Sequence, residues 1–217
     1  MRKRLGVWQI DEAEQAAVYG AKPGDMKYLD VNEDGVYDDN DRVFVGGTQR
    51  PKAEFSLVNT FYWNGFTLGI DLGAMVGFKV YSYAQWLTEY SKGDTNHVLG
   101  VLKHAWNPEN PNTRFPAIIG ISNSYQNNAS DDYYLNKADY LRIRNISLTY
   151  DFKDKLLKNN KFFKGFIFGV NVENAYVFTP YSGGYDPETG WGAGSYGVDW
   201  LQYPRPMVIT GNLKLSF

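Results

Sequence analysis

The chain has 217 residues, with 22 Lys and Arg against 24 Asp and Glu, two histidines, no cysteine and an aromatic share of 17%. A near-neutral balance without a clustered basic run excludes a nucleic-acid partner. The lack of cysteine excludes disulfides, thiol catalysis and thiolate metal sites together. The weight of Tyr, Phe, Trp and Gly belongs to strands and turns. No stretch approaches the roughly 18 consecutive apolar residues of a membrane helix, which leaves strands as the only way this chain could span a membrane.

The opening, residues 1–15, follows a basic start at once with acids, where a signal peptide needs an apolar run. For an exported protein this makes Met1 an internal residue, with the sequence beginning partway through a larger chain. Residues 8–20, WQIDEAEQAAVYG, carry Ala and Glu at helix-favouring density before a Gly stop and predict a short surface helix. Residues 23–42 are acidic and turn-rich. Within them Asp30, Asn32, Asp34, Asp38 and Asp41 stand at positions 1, 3, 5, 9 and 12 of a loop with Gly35 at position 6 and the Val36 carbonyl at position 7. That is the spacing by which hard oxygen donors wrap a calcium ion, and the glycine supplies the sharp turn. Asp41 departs from the longer, bidentate Glu usual at position 12, and no long helices flank the loop. A structural Ca2+ clamp is expected; an ion-free acidic turn is the plain alternative.

From Ala53 to Trp63, Phe55, Leu57, Phe61 and Trp63 share one face, with Glu54, Ser56 and Thr60 opposite, which is strand parity. Asn64-Gly65 follows and predicts a two-residue hairpin turn. Residues 66–78 then alternate apolar with small or charged positions, placing seven apolar residues on one face and Asp71 on the other. Residues 79–139 lack sustained periodicity and form a long loop of the kind that is usually functional. Alternating runs resume at 140–152, 165–178 and 207–217, with a moderate turn at 153–164 and a second long loop at 179–205.

Turns short on one side and loops long on the other, with runs of about 11 to 13 residues against the 9 to 11 needed for a tilted crossing, give an all-β reading: an antiparallel up-and-down transmembrane β-barrel segment. The greasy face meets lipid and the Gly-rich polar face, with Glu54, Asp71, Glu173 and Lys214, lines a hydrated interior. Aromatic residues at the strand ends form two girdles, Phe61, Trp63, Phe66, Phe152, Phe166, Phe168 and Phe217 on the short-turn side and Phe78, Tyr176 and Phe178 on the other. In YLRIRNISLTY, Arg142 and Arg144 share parity with Ile146, Leu148 and Tyr150, which aims two arginines at lipid. Two readings stay open: the arginines lie near the far interface, about 20 to 25 Å from Phe152, or a β-bulge near Asn145 returns Leu141 and Ile143 to the lipid face.

Four stretches, residues 23–42, the NTFYWNGFTLGIDL hairpin, DYLRIRNISLTYDF and the ending YPRPMVITGNLKLSF, resemble the C-terminal part of SusC/RagA-type TonB-dependent outer-membrane transporters. The resemblance implies about five C-terminal strands of a roughly 22-stranded barrel, closed by an N-terminal plug and importing oligosaccharides or peptides with energy relayed by TonB. On this reading residues 1–52 are an extracellular loop with a short helix and the calcium motif, and 53–217 carry the barrel strands. The plug and the TonB-contacting segment belong to a missing N-terminal part. The implied partners are a SusD-like surface lipoprotein over the long loops, TonB through that missing part, the barrel-assembly machinery reading Phe217, and membrane lipid of the Gram-negative outer membrane.

No catalytic constellation occurs: His97 and His104 sit in one irregular loop, and no hydrolase, zinc-protease or phosphate-loop motif is present. Trp86, Trp106, Tyr181, Tyr185, Trp191 and Trp200 populate the long loops, where aromatic faces suit stacking on sugar rings or peptide side chains, or packing of the loop on itself. The competing functions are a soluble, calcium-stabilised β-sandwich that binds surface glycans, and a passive porin-like barrel. As a piece on its own, the sheet is expected to be open, with strands 53–63 and 206–217 at its edges.

Overall fold

The structure, a computed structural model, describes residues 1–89, 96–118, 131–153, 162, 164–188 and 197–217. Strand β1 (Arg4–Val7), helix α1 (Ala13–Val18) and strand β2 (Met26–Tyr28) come first, with β1 and β2 paired antiparallel. Then come β3 (Ala53–Trp63), β4 (Phe66–Val76), β5 (Lys79–Ser82), α2 (Tyr83–Glu89), α3 (Leu99–His104), β6 (Leu135–Lys137), β7 (Tyr140–Asp151), β8 (Gly165–Phe178), β9 (Val198–Asp199) and β10 (Val208–Ser216). The five long strands form one antiparallel sheet in the order β10-β8-β7-β4-β3, so the expected edges, β3 and β10, are the edges. No helix among the described residues is long and apolar enough to cross a membrane.

Turn chemistry sets the register. Asn64 and Gly65 both take positive φ, 47° and 86°, the conformation of a type I′ turn whose twist matches that of the flanking strands. Trp63 is thereby placed opposite Phe66, and the pairing runs without a break to Ala53 opposite Val76. Because side chains alternate, Phe55, Leu57, Phe61 and Trp63 fall on the face of Ala74, Leu72, Leu68 and Phe66.

The arginine question is answered by a bulge one residue before the expected one. Asp71 pairs with Asn145 but Leu72 pairs with Ile143, leaving Arg144 as the extra residue. On the other side of β7, Ile143 faces Tyr176 and Asn145 faces Glu173, with Asn174 taking a φ of 52°. The extra residue reverses parity, so Leu141 and Ile143 join Ile146, Leu148 and Tyr150 on the apolar face. Arg142, opposite Gly73, turns to the polar face. Placing these arginines at the far lipid interface is therefore unnecessary.

One face of the sheet is a continuous apolar surface, and among the described residues no second layer covers it. Phe55, Leu148, Val170, Ile209 and Leu215 are all exposed, Phe55 by 61% and Leu215 by 46%. Rings run across the short-turn end as a belt: Trp63 to Phe66, Phe66 to Tyr150, Tyr150 to Phe152 and Phe152 to Phe166, at centroid distances of 6.1, 4.4, 4.6 and 4.7 Å. Phe162 and Phe217 meet at 5.6 Å. At the opposite end Tyr176 and Phe178 pair at 4.7 Å. Phe78, expected in that second girdle, is instead buried. Gly77, at φ 81°, ends the strand alternation, and Phe78 packs with Val80, Ala138, Tyr140 and Tyr181.

The buried hydrophobic clusters lie in the loop region, where the sequence offered little periodicity. Val7, Met26 and Tyr28 make one, and Trp8, Ala16 and Ala21 another. The long connections and residues 1–52 leave the sheet at one end, where Lys52 N–H donates to the Val76 carbonyl (2.9 Å) and Lys79 N–H to that of Thr48 (2.8 Å). There they build a cap: β5 pairs with β6 antiparallel and with β9 parallel. Residues 1–52 were expected to hold one short helix; β1 and β2 were not foreseen, and neither were β5, β6, α2 and α3 within 79–139. The cap is tied by Arg4, whose Nε and Nη2 donate to the wholly buried Asp131 at 2.8 and 2.5 Å, with the Tyr28 hydroxyl donating to the same carboxylate at 3.3 Å. Burial pushes the Asp131 carboxyl upward and Arg4 pulls it back.

The uncovered face gives a direct prediction. In water an exposed Leu-to-Arg change is near neutral, whereas an arginine facing hydrocarbon costs about 2 to 4 kcal/mol at midplane. Leu148→Arg should lower the stability of the barrel folded in lipid vesicles by about that amount, and Ser147→Arg, on the opposite face, by much less; urea titration in vesicles measures both.

Candidate functional site

The polar face is built from small residues on β4 and β8 and long or polar ones on β7. A Cβ at Gly69 would strike the Ser147 hydroxyl oxygen and one at Gly169 the Thr149 methyl. At Gly73 a Cβ would strike the Arg144 guanidinium. The glycines thus let the β7 side chains lie flat across their neighbours, and the Arg144 guanidinium rests on the β4 backbone.

At the cap end of this face a segment of the second long loop folds down onto the wall. Arg142, 3% exposed, donates through Nη2 to Asp186 Oδ1 at 2.5 Å, and its Nε lies 3.2 Å from Glu188 Oε2. Arg205, from the returning limb of the same loop, donates through Nη1 to Glu188 Oε2 at 3.0 Å, and Arg144 Nη2 stands 3.9 Å from Glu188 Oε1. Three guanidiniums therefore surround two carboxylates. Arg142 is sequestered, while the Arg144 and Arg205 side chains are each 46% exposed. The loop is anchored above by Ser82, whose hydroxyl donates to the Gly183 carbonyl, and by the Tyr181 hydroxyl donating to Asp199 at 2.8 Å. One row toward the short turns, Asp71, Asn145 and Glu173 stand side by side.

The acidic loop is closed by its own amides. Asp41, wholly buried, accepts from Val31 N–H (2.8 Å) and Asp38 N–H (2.9 Å). Asp30 accepts from Glu33 and Gly35 N–H and the Tyr19 hydroxyl, Asp34 from Val36 N–H and the Asn32 amide, and Asp38 from Asn40. Gly35 takes the left-handed φ, 77°, that position 6 requires. Among the described residues no group of three or more His, Asp or Glu side chains converges on a metal-sized point.

The loop aromatics divide. Trp86 and Trp200 both meet Tyr83, at 4.9 and 4.7 Å between centroids, in a three-ring group that sequence reasoning saw only in part. Trp106 donates its ring N–H to Gln9 at 3.0 Å and packs on the Val7 cluster. Tyr181 is buried, and burial pushes its phenol well up. Tyr185 is 74% exposed, and Trp191 lies outside the described residues.

No protein-family model matches the chain. It is 28% identical over 89% of its length to a TonB-dependent receptor P39 of Formosa agariphila and 26% identical over 90% to the TonB-dependent receptor SusC of Bacteroides thetaiotaomicron. It spans about a fifth of each, 19% and 18%. Among solved structures, the RagAB peptide transporter superposes over the whole chain at a TM-score of 0.74 and 23% identity. The RagAB peptide importer in its "open-open" state does so at 0.73 and 25%; each match covers 22% of the solved chain. These relatives are named as receptors and transporters, not enzymes.

Two predictions follow from the geometry. Arg142→Ala leaves Asp186 buried without its cation, a loss of about 3 to 5 kcal/mol in such pairs, and should raise amide exchange across residues 181–188 while leaving β3 and β4 protected. Asp30 and Asp139 both sit below the ordinary carboxyl range. Desolvation opposes this, but amide donors outweigh it: Gly35 and Glu33 for Asp30, Gly77 and Phe78, with Lys137, for Asp139. Stability from groups so depressed is present above the unfolded value and lost as pH falls through the folded one. Cap protection should hold from neutrality to about pH 4 and decline below it.

Proposed function

From its likeness to SusC/RagA-type TonB-dependent transporters, we propose that this chain is a wall-and-cap segment of an active importer in the Gram-negative outer membrane. The observation that carries the reading is the sheet with one uncovered, aromatic-bordered apolar face and one polar face: hydrocarbon outside and a hydrated conduit inside satisfy both. The long strands supply wall, the cap stands at the extracellular mouth, and Phe217, exposed at the short-turn end, serves the barrel-assembly machinery. The solute is an oligosaccharide or peptide, with a SusD-like lipoprotein lying over the cap and TonB supplying energy through the rest of the protein. Against a soluble glycan-binding sandwich stands the lack of any second layer over the apolar face among the described residues.

The parent protein should stay in the membrane pellet through carbonate extraction; release into the supernatant contradicts the reading. Uptake of its solute should collapse when TonB is deleted. Uptake that persists identifies a passive porin-like barrel instead.

The acidic loop is proposed to hold a structural calcium ion through Asp30, Asn32, Asp34, Asp38, Asp41 and the Val36 carbonyl. What supports this is the donor spacing together with the backbone conformation of Gly35. A carboxylate has about four acceptor directions, so the amide bonds already made leave room for an ion. Calorimetric titration with calcium should show binding that Asp34→Ala abolishes; equal heats for both proteins would contradict it.

A further inference from the structure

The arginine group on the polar face holds a carboxylate that belongs to a loop, and the wall beneath it is shaped to receive one. Glu188 lies among Arg142, Arg144 and Arg205, with nitrogen-to-oxygen distances of 3.2, 3.9 and 3.0 Å. Arg142 is already committed to Asp186. Arg144 and Arg205 are not: both are half exposed, and Arg144, which also interacts with the Tyr140 hydroxyl, reaches Glu188 only through the loose 3.9 Å contact. A planar guanidinium offers five donors, more than the contacts to Glu188 and Tyr140 use. Arg144 is also pre-positioned, because the bulge sets it on the polar face and Gly73 lets it lie against the neighbouring strand. Charge is arranged along the wall as well, with the carboxylates of Asp71 and Glu173 one row deeper than the arginines. An anion is thus favoured at the cap end and disfavoured below it.

We propose that Arg144 and Arg205 form a recognition site for a compact anionic group, a carboxylate carried by the imported solute, and that Glu188 occupies it as an exchangeable internal stand-in. A solute acid that takes the two guanidiniums releases Glu188 and with it one tether of residues 179–188. The inference deepens the importer reading and rests on it, by adding a preference for acidic peptides or uronic-acid-bearing sugars.

The test uses the full-length parent protein in nanodiscs and four probes: acetyl-Gly-Glu-Gly-amide with its Gln counterpart, and a glucuronic-acid disaccharide with its glucose counterpart. Glu188→Gln removes the competing carboxylate and should tighten the acidic probes on the order of tenfold while leaving the neutral ones unchanged. Arg144→Gln with Arg205→Gln should abolish the preference for acid, and Arg205→Gln alone, a milder change at a half-exposed position, should reduce it. Whether peptide or sugar acid responds more strongly identifies the solute's source of charge. Acid-to-neutral ratios that stay the same across parent and variants overturn the site. Uptake of the same probes is followed in parallel: acidic probes that bind in the stated order without being taken up sink the importer reading and leave the site standing. Neutral probes that are imported while no acid preference appears do the reverse.

Discussion

A β-sheet satisfies its backbone hydrogen bonds along strands but must still place two faces, and here the two faces demand different solvents. The five long strands put most of their Leu, Ile and Phe on one side and most of their Gly, Ser, Thr and charged residues on the other, while the buried clusters lie in the cap and where it meets the start of β7. Exposing such a contiguous apolar face to water would forfeit roughly 25 cal/mol for each Å² left wet. Hydrocarbon removes that penalty. On the proposed importer reading, the aromatic belt from Trp63 to Phe166 and the Tyr176–Phe178 pair mark where hydrocarbon gives way to headgroups.

The same constraint explains the bulge. A strand with arginines two and four residues before its apolar run cannot keep strict alternation and stay lipid-compatible. The extra residue at Arg144 reverses parity, returning Leu141 and Ile143 to the apolar face and turning Arg142 to the polar one, where it meets Asp186. A departure from regular pairing that keeps one face apolar thus also creates the charged group on the other. The cap depends on this in turn, since the loop carrying Asp186 and Glu188 is tied down on it.

Period-2 alternation and the Asn64-Gly65 turn made the sheet legible, because both act locally: β3, β4, β7, β8 and β10 fall within one or two residues of their expected bounds. The likeness to TonB-dependent receptors was legible too, in motifs that follow strand order. The cap was not. Its elements are two to seven residues long and its cores join distant positions, as when Arg4 meets Asp131, and no local pattern announces such contacts. Phe78 was misplaced for the same reason: alternation continues through it, but the left-handed Gly77 redirects the chain. The arginine group left one trace, the parity conflict at Arg142. The partners, Asp186, Glu188 and Arg205, come from a loop whose path strand periodicity does not describe.

The central claim is that the even-numbered residues of β4 touch lipid and the odd-numbered ones touch water. This segment contains no cysteine, so single cysteines at Leu68, Gly69, Ile70, Asp71 and Leu72, each carrying a nitroxide, can report on it in the membrane-embedded parent protein with any cysteines elsewhere replaced. The account predicts that labels at 68, 70 and 72 relax with membrane-dissolved oxygen and those at 69 and 71 with an aqueous nickel chelate. Labels at 68, 70 and 72 shielded from both reagents would place a second protein layer on that face and contradict it.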